Sequence, residues 1–211
     1  MPDQLLRSIC DDGLHMTLKT DLLSARIDAS LVATAQVRDR LCDVETIVDL
    51  IIETLSGGGT IWTAGNGGSA AQALHLAEEL VGRYRRTRRA LASASLVADS
   101  AALTCIANDF GFEHVFSRQI EGLAKPGDLI ILLSTSGDSP NIVAAIEAAN
   151  RLNVQTVALL GSDGGRCGGA CSASITINQT DSASVQDAHQ LVIHLICEAV
   201  DAWAHETDTA T

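Results

Sequence analysis

The sequence predicts an α/β fold, a three-layer sandwich with a central parallel sheet, preceded by helices at the N-terminus. Three observations carry that expectation. The segments DLIILL (128–133) and TVALL (156–160) are apolar without alternation, as strands of a parallel sheet covered on both faces are. From residue 60 onward, strand-like runs alternate with helix-like ones. Small-residue loops, GNGGS (65–69) and STSGDS (134–139), follow strands and precede helices, where such sheets bind their ligands.

Each element follows in order. Residues 4–56 lack proline and hold one glycine, Gly13. Leu31, Val32, Ala35, Val37, Leu41, Val44, Ile47, Val48, Ile51 and Ile52 recur mostly at three- and four-residue steps, an amphipathic helical pattern that makes two helices with the earlier stretch. Gly57-Gly58-Gly59 ends it. Residues 1–56 are therefore expected to pack as a helical segment on the core and in an oligomer, and 57–205 to form the sheet-containing part of a single structural domain. Thr60 to Ala64 reads as a strand, and Ser69 to Tyr84 as a helix with Ser69 available to cap it. Ala92 to Ala98 is the next strand, followed by helices over Ser100 to Ala107 and Glu113 to Leu123. After the strand at 128–133, Pro140 sits in the first turn of a helix reaching Leu152. The strand at 156–160, a GSDGG turn, a strand over Ala173 to Ile177 and a long helix from Ser184 to His205 complete the chain.

Composition narrows the function classes. The 211 residues are 46% hydrophobic and 19% charged, enough apolar material for a packed core. A net charge of -12 is the wrong sign for coating nucleic acid or an anionic membrane, and 3% aromatic content is poor for base stacking. No apolar run approaches the roughly 18 residues of a membrane span, and the acidic start does not resemble an export signal. The expectation is a cytoplasmic protein without structural disulfides, in which Cys105 and Cys197 are core residues. CGGAC, with Cys167 and Cys171, lacks a second pair for a zinc knuckle.

Three constellations carry chemistry. In LLSTSGDSPN, Ser134, Thr135, Ser136 and Ser139 put four hydroxyls into six residues at a helix start, which suits an anion such as a sugar phosphate. No lysine follows, so this is not a nucleotide P-loop; an ordinary serine-rich turn is the plain alternative. In AGNGGSAAQALHLAEEL, Gly65, Gly67 and Gly68 permit a sharp turn around Asn66, and His75 and Glu79 share a helix face at four-residue spacing. That pair suits a metal, acid/base work or a simple surface contact. On the last helix, Gln186 and His194 lie about 80° apart around the axis and can point to one region, with His189 about 140° from His194. Taken from the residues alone, His194 reads as a core histidine in an apolar run. Asn108-Asp109 is either a turn or a substrate contact, and RYRRTRR (83–89) a solvated helix end or a phosphate or subunit contact.

Together and in this order, GNGGSAAQALHLAEELVGRY, IANDFGF, STSGDSPN, ALLGSDGG and Gln186 through His194 resemble the sugar isomerase (SIS) domain family, and within it the sedoheptulose-7-phosphate (phosphoheptose) isomerases. The resemblance implies a flavodoxin-like SIS fold and a homotetramer with active sites at subunit interfaces. It implies an aldose–ketose isomerase that acts on sedoheptulose 7-phosphate through an enediol. It assigns Glu79 and His194 as acid/base residues, and His75, Glu79, Gln186 and His194 as the holders of one zinc ion per subunit. Asn66, Gly67, Gly68, Ser69, Glu79, Asn108, Asp109, Ser134, Thr135, Ser136, Ser139 and Gln186 would line the substrate. On this basis His194 becomes a site residue. Where the family has Arg and Glu around the glutamine, this chain has Ser184 and Asp187, and Ala183 stands where an Asp can occur, with Asp181 nearby. The competing expectations are a non-catalytic SIS protein that binds a sugar phosphate or a replication initiator, and an isomerase of a six-carbon ketose phosphate.

Overall fold

The computed structural model describes residues 3–209, with side chains from Thr17 onward. Its strands are β1 (Ile61–Gly65), β2 (Ser93–Ser95), β3 (Leu129–Ser134), β4 (Gln155–Gly161) and β5 (Ala173–Ile177). They form one sheet in the order β2-β1-β3-β4-β5, with every neighbouring pair parallel. This order changes direction between β1 and β3. The loops leaving those two strands are GNGGS and STSGDS, so both open at the crevice where a doubly wound sheet receives its ligand.

Alternation along the strands builds two cores. Leu129, Ile131 and Leu133 of β3 face one side, with Val157 and Leu159 of β4 and Ile175 and Ile177 of β5. Against them pack α2 (Leu41–Ser56), α3 (Gly68–Val81) and α7 (Ser182–Thr209) through Ile47, Ile51, Leu76, Leu80, Val192 and Ile196. Ile130 and Leu132 face the other side. There they meet Phe116, Ile120 on α5 (Ser117–Leu123), and Ile142, Ala145 and Ala149 on α6 (Pro140–Arg151). α4 (Ser100–Phe110) lies on the same side and buries no residue fully. α1 (Asp3–Ala35) packs along α7 and joins α2 through a 3-10 turn at Gln36–Arg40. Its Leu22, Leu23, Ile27, Leu31 and Val32 are all more than half exposed. Among the described residues no helix is long and apolar enough to cross a membrane.

Several local expectations change. Cys105, read as a core residue, is exposed on α4, while Cys197 is buried. Ser69 does not cap α3: the helix starts at Gly68 after Gly67, and Ser69 is buried within the first turn. Strand β2 spans only Ser93–Ser95, an edge strand whose two serine hydroxyls donate to the carbonyls of Ile61 and Thr63. Asn108 and Asp109 lie on α4 itself, because the helix continues to Phe110.

The arginine cluster follows the end of α3, and one of its members, Arg88, is not solvated. α3 stops at Val81, and the following segment folds across α7. The Arg88 side chain, 1% exposed, pairs with Asp201, 0% exposed, at 3.1 Å. It also donates to the carbonyls of Glu79 and Leu80. A buried carboxylate on α7 needs such a partner, so this arginine is drawn inward. Cys167 is buried as well, and burial pushes its thiol up to about 11, so it offers no thiolate.

Candidate active site

His75 and Glu79 occupy successive turns of α3 on the face toward α7. His75 Nε2 lies 3.1 Å from Glu79 Oε1, and both side chains are mostly covered, at 30% and 17% exposure. From α7, the His194 ring meets the His75 ring edge-on with centroids 5.5 Å apart, and the Tyr84 ring lies 6.1 Å from it. Between the two rings stands Gln190, whose Nε2 is 2.9 Å from His75 Nδ1 and 3.0 Å from His194 Nε2. Behind it, Gln72 Nε2 donates to Gln190 Oε1 at 3.3 Å and to the Gln186 carbonyl at 2.8 Å. Two helices more than a hundred residues apart in sequence are thus stitched by one polar chain.

The histidine five residues before His194 has the opposite surroundings. His189 is fully buried and its Nε2–H donates to the Leu160 carbonyl at 3.1 Å. Burial, partly offset by that hydrogen bond, brings its pKa down to about 4. The reading of His194 as a core histidine from the apolar run alone is therefore overturned: His189 is the core imidazole, and His194 opens onto the α3 pair.

The second half of the site is the loop between β3 and α6. Ser134, buried, accepts from the Gly137 amide at 3.1 Å and lies 3.3 Å from the Ser139 hydroxyl. Exposed Ser136 accepts from the Asp138 amide at 3.2 Å. Each serine oxygen that accepts an amide hydrogen keeps its own O–H to donate: that of buried Ser134 lies beside Ser139, and that of Ser136 is exposed. Thr135 Oγ1 reaches Ser182 Oγ at the start of α7, 3.1 Å away. Gly137 has φ +71°, and a Cβ there would lie 2.2 Å from the Gly164 carbonyl, so only glycine closes this turn. The loop's own carboxylate, Asp138, accepts from the Arg166 backbone and guanidinium.

Asn66 ties the two loops together. Its carboxamide exchanges two hydrogen bonds of 2.8 Å with that of Asn141 in the first turn of α6. Gly67 and Gly68 follow it, exposed, at the start of α3. Gln186 lies over Gly68, where an added Cβ would sit 2.7 Å from its amide, and it makes no side-chain hydrogen bond to His75, Glu79 or His194. Asn108 and Asp109 are exposed and hydrogen-bonded to each other at 2.7 Å. The residues missed by sequence reasoning are Gln72, Gln190 and Asn141. Only Gln190 carried a signal, since it stands four residues before His194 on the same helix face.

A guanidinium is supplied near Ser184 from another helix. Arg26 of α1 donates to Ser184 Oγ at 3.3 Å and pairs with Asp187. Hydrogen bonds from Ser184, its hydroxyl first and then its amide, hold the Asp181 carboxyl below the usual carboxylate range.

The donor set fits a divalent ion such as zinc. Two imidazole nitrogens converge on one point, a carboxylate adjoins one of the rings, and His75, Glu78 and Glu79 offer ligand atoms within 4.8 Å of one another.

The SIS domain family matches residues 28–161. The phosphoheptose isomerase of Helicobacter hepaticus is 39% identical over 181 residues, 86% of this chain and 92% of that protein. The phosphoheptose isomerase of Campylobacter concisus is 40% identical over 184 residues, 87% of this chain and 97% of that one. Among solved structures, phosphoheptose isomerase GmhA from Neisseria gonorrhoeae superposes with a TM-score of 0.81 at 33% identity, covering 87% of this chain and 98% of that one. A phosphoheptose isomerase from Francisella tularensis gives 0.84 at 26% identity, with the same coverages.

Proposed function

The chain belongs to the phosphoheptose isomerase family of SIS-domain proteins, and from that premise we propose that it interconverts sedoheptulose 7-phosphate and D-glycero-D-manno-heptose 7-phosphate in the cytoplasm. One observation carries the reading to chemistry: a carboxylate and two imidazoles, from α3 and α7, meet in one network. A carboxylate suits proton transfer between carbons, and an imidazole suits proton exchange with oxygens.

The 134–139 loop holds the phosphate through its hydroxyls and amides, which fixes the sugar chain so that C1 and C2 reach Glu79. Oε1 of Glu79 faces His75, leaving Oε2 for the substrate. Oε2 takes a proton from C1 of the ketose, the enediol forms, and the same proton returns to C2. His194 moves the hydroxyl proton from O1 to O2, using Nδ1, the ring nitrogen that Gln190 does not engage. His75, Glu79 and His194, with Gln186 as an amide ligand, are the residues to hold zinc, which when bound polarises the carbonyl and stabilises the enediolate. In this reading Asn66 positions the crevice by bracing Asn141, and Asn108 and Asp109 reach substrate from the end of α4.

The assembly is a homotetramer with shared sites. The observation behind this is the apolar stripe on α1, Leu22, Leu23, Ile27 and Leu31, which stays more than half exposed among the described residues. Incubating the protein with sedoheptulose 7-phosphate and detecting an aldoheptose phosphate tests the function. A protein that binds heptose phosphate without converting it is the outcome that rejects it.

A further inference from the structure

We propose that Arg88 is a positioning residue for the isomerisation: it grips the backbone of Glu79 and the carboxylate of Asp201 at once, and so sets the α3 carboxylate against the α7 imidazole. The inference rests on the reading of Glu79 and His194 as the acid/base pair and adds the residue that fixes their spacing. It starts from the end of a helix. α3 stops at Val81, so the carbonyls of Glu79 and Leu80 find no amides of a further turn. Arg88 supplies donors instead. Its Nη2 donates to the Glu79 carbonyl at 2.7 Å, and its Nη1 to the carbonyls of Leu80 at 3.0 Å and Arg89 at 2.8 Å. Its Nε–H goes to Asp201 Oδ1 at 3.1 Å, while Asp201 Oδ2 accepts from the Arg86 amide at 2.9 Å. Both oxygens of that carboxylate are therefore held by the segment that follows α3.

Asp201 stands seven residues beyond His194, two helical turns along the same face of α7. The guanidinium is thus bonded to the main chain of the proposed base and to the helix face that carries the imidazole. Toward the start of both helices, Gln72 makes the other tie, to the Gln186 carbonyl and Gln190. Glu79 and His194 lie between the two ties. The segment that Arg88 anchors also carries Tyr84, whose ring lies 6.1 Å from that of His194.

Burial argues that placement is what this pair contributes. The Arg88 and Asp201 side chains are 1% and 0% exposed, and an ion pair so desolvated returns little net stability over apolar residues of similar volume. What a guanidinium adds is a rigid fork that meets carbonyls and a carboxylate in fixed directions. An ammonium brings the same charge on a single nitrogen.

The test separates charge from geometry. Arg88→Lys keeps a cation opposite Asp201 but cannot serve both α3 carbonyls as well. Its kcat on sedoheptulose 7-phosphate should fall about ten- to hundredfold, with KM and the Ki of inorganic phosphate within about twofold of wild type. Placed on Glu79→Gln, the same substitution should cost nothing further, because Arg88 acts through that carboxylate. Wild-type kcat in Arg88→Lys, a loss confined to KM, or an equal further loss in the Glu79→Gln background overturns the proposal. If Arg88→Lys does not fold, Arg88→Met/Asp201→Leu removes both charges and leaves neither unpaired. That double variant should fold and show the same fall in kcat; full turnover in it, or failure of both variants to fold, overturns the proposal too. The wild type keeps the two questions apart. An inactive wild type rejects the isomerase reading and the proposal with it, whereas an active one matched by Arg88→Lys rejects the positioning role alone.

Discussion

The phosphate-anchoring loop and the α3–α7 pair are built on different principles. In the loop, six consecutive residues hold one another: Ser134 serves the Gly137 amide, Ser136 the Asp138 amide, and the turn is closed by backbone that only glycine permits. Four hydroxyls stand within these six residues, so each is one of several. In the helix pair, every group is present once. His75 depends on Glu79 and Gln190, Gln190 on Gln72, and His194 on Gln190, across 115 residues of sequence. Redundant anchoring predicts graded losses in binding, and single-copy chemistry predicts collapse of turnover with binding kept.

The largest effects should therefore come from the helix pair. Glu79→Gln keeps the side chain's size and polarity but cannot accept a proton from carbon, and His194→Asn removes the ring that exchanges protons with oxygens. Each should lower kcat by about 10²–10⁴-fold while the protein stays folded and still binds inorganic phosphate. In Glu79→Gln, exchange of the substrate C–H with solvent deuterium should vanish. Near wild-type turnover in either variant removes that residue from the mechanism.

The same contrast explains what was legible beforehand. The buried strands, the turn glycines and the hydroxyl loop are local patterns, and the sheet forms where DLIILL and TVALL promised it. The helix pair is a tertiary fact. Nothing in an apolar run tells His189 from His194, because the difference is which one α3 faces. The family pattern separated them where periodicity could not. Gln190 escaped both, since its partners lie on another helix. The Arg88–Asp201 pair escaped for the same reason: a basic run looks solvated until the buried carboxylate opposite is known.

His189 gives the control on the same helix. Its pKa of about 4 lies below the ordinary 6.5, so the unfolded chain takes up a proton first as pH falls. Above pH 6.5 both states are neutral at this ring and nothing is lost. Between 6.5 and 4 the folded state should lose about 3 kcal/mol on this group's account. His189→Gln, which keeps a donor for the Leu160 carbonyl, should flatten that acid limb in denaturant titrations run from pH 7 to 4, with kcat unchanged at pH 7.5. An unaltered acid limb would show that His189 is not the buried neutral imidazole of α7, and a collapse of kcat would remove the distinction between the two histidines.

Ser136→Ala should give the smallest effect, and its form matters more than its size. Ser136 is exposed, and its hydroxyl accepts only from the Asp138 amide, which water or the phosphate itself can satisfy once the oxygen is gone. The turn is held by Ser134 and Gly137 in any case, so the loop keeps its shape. What disappears is one hydrogen bond to a charged group, about 1.5–3 kcal/mol, or about ten- to hundredfold in affinity. That loss should appear equally in KM for the heptose phosphate and in Ki for inorganic phosphate, because the contact is to the phosphate end alone. It should leave kcat in place, because the anchor stays the same between ground state and transition state. Unchanged affinity for both ligands would mean that the phosphate is gripped elsewhere and that this is only a serine-rich turn. A fall in kcat with KM unchanged would mean that loop and helix pair act as one unit rather than as anchor and chemistry.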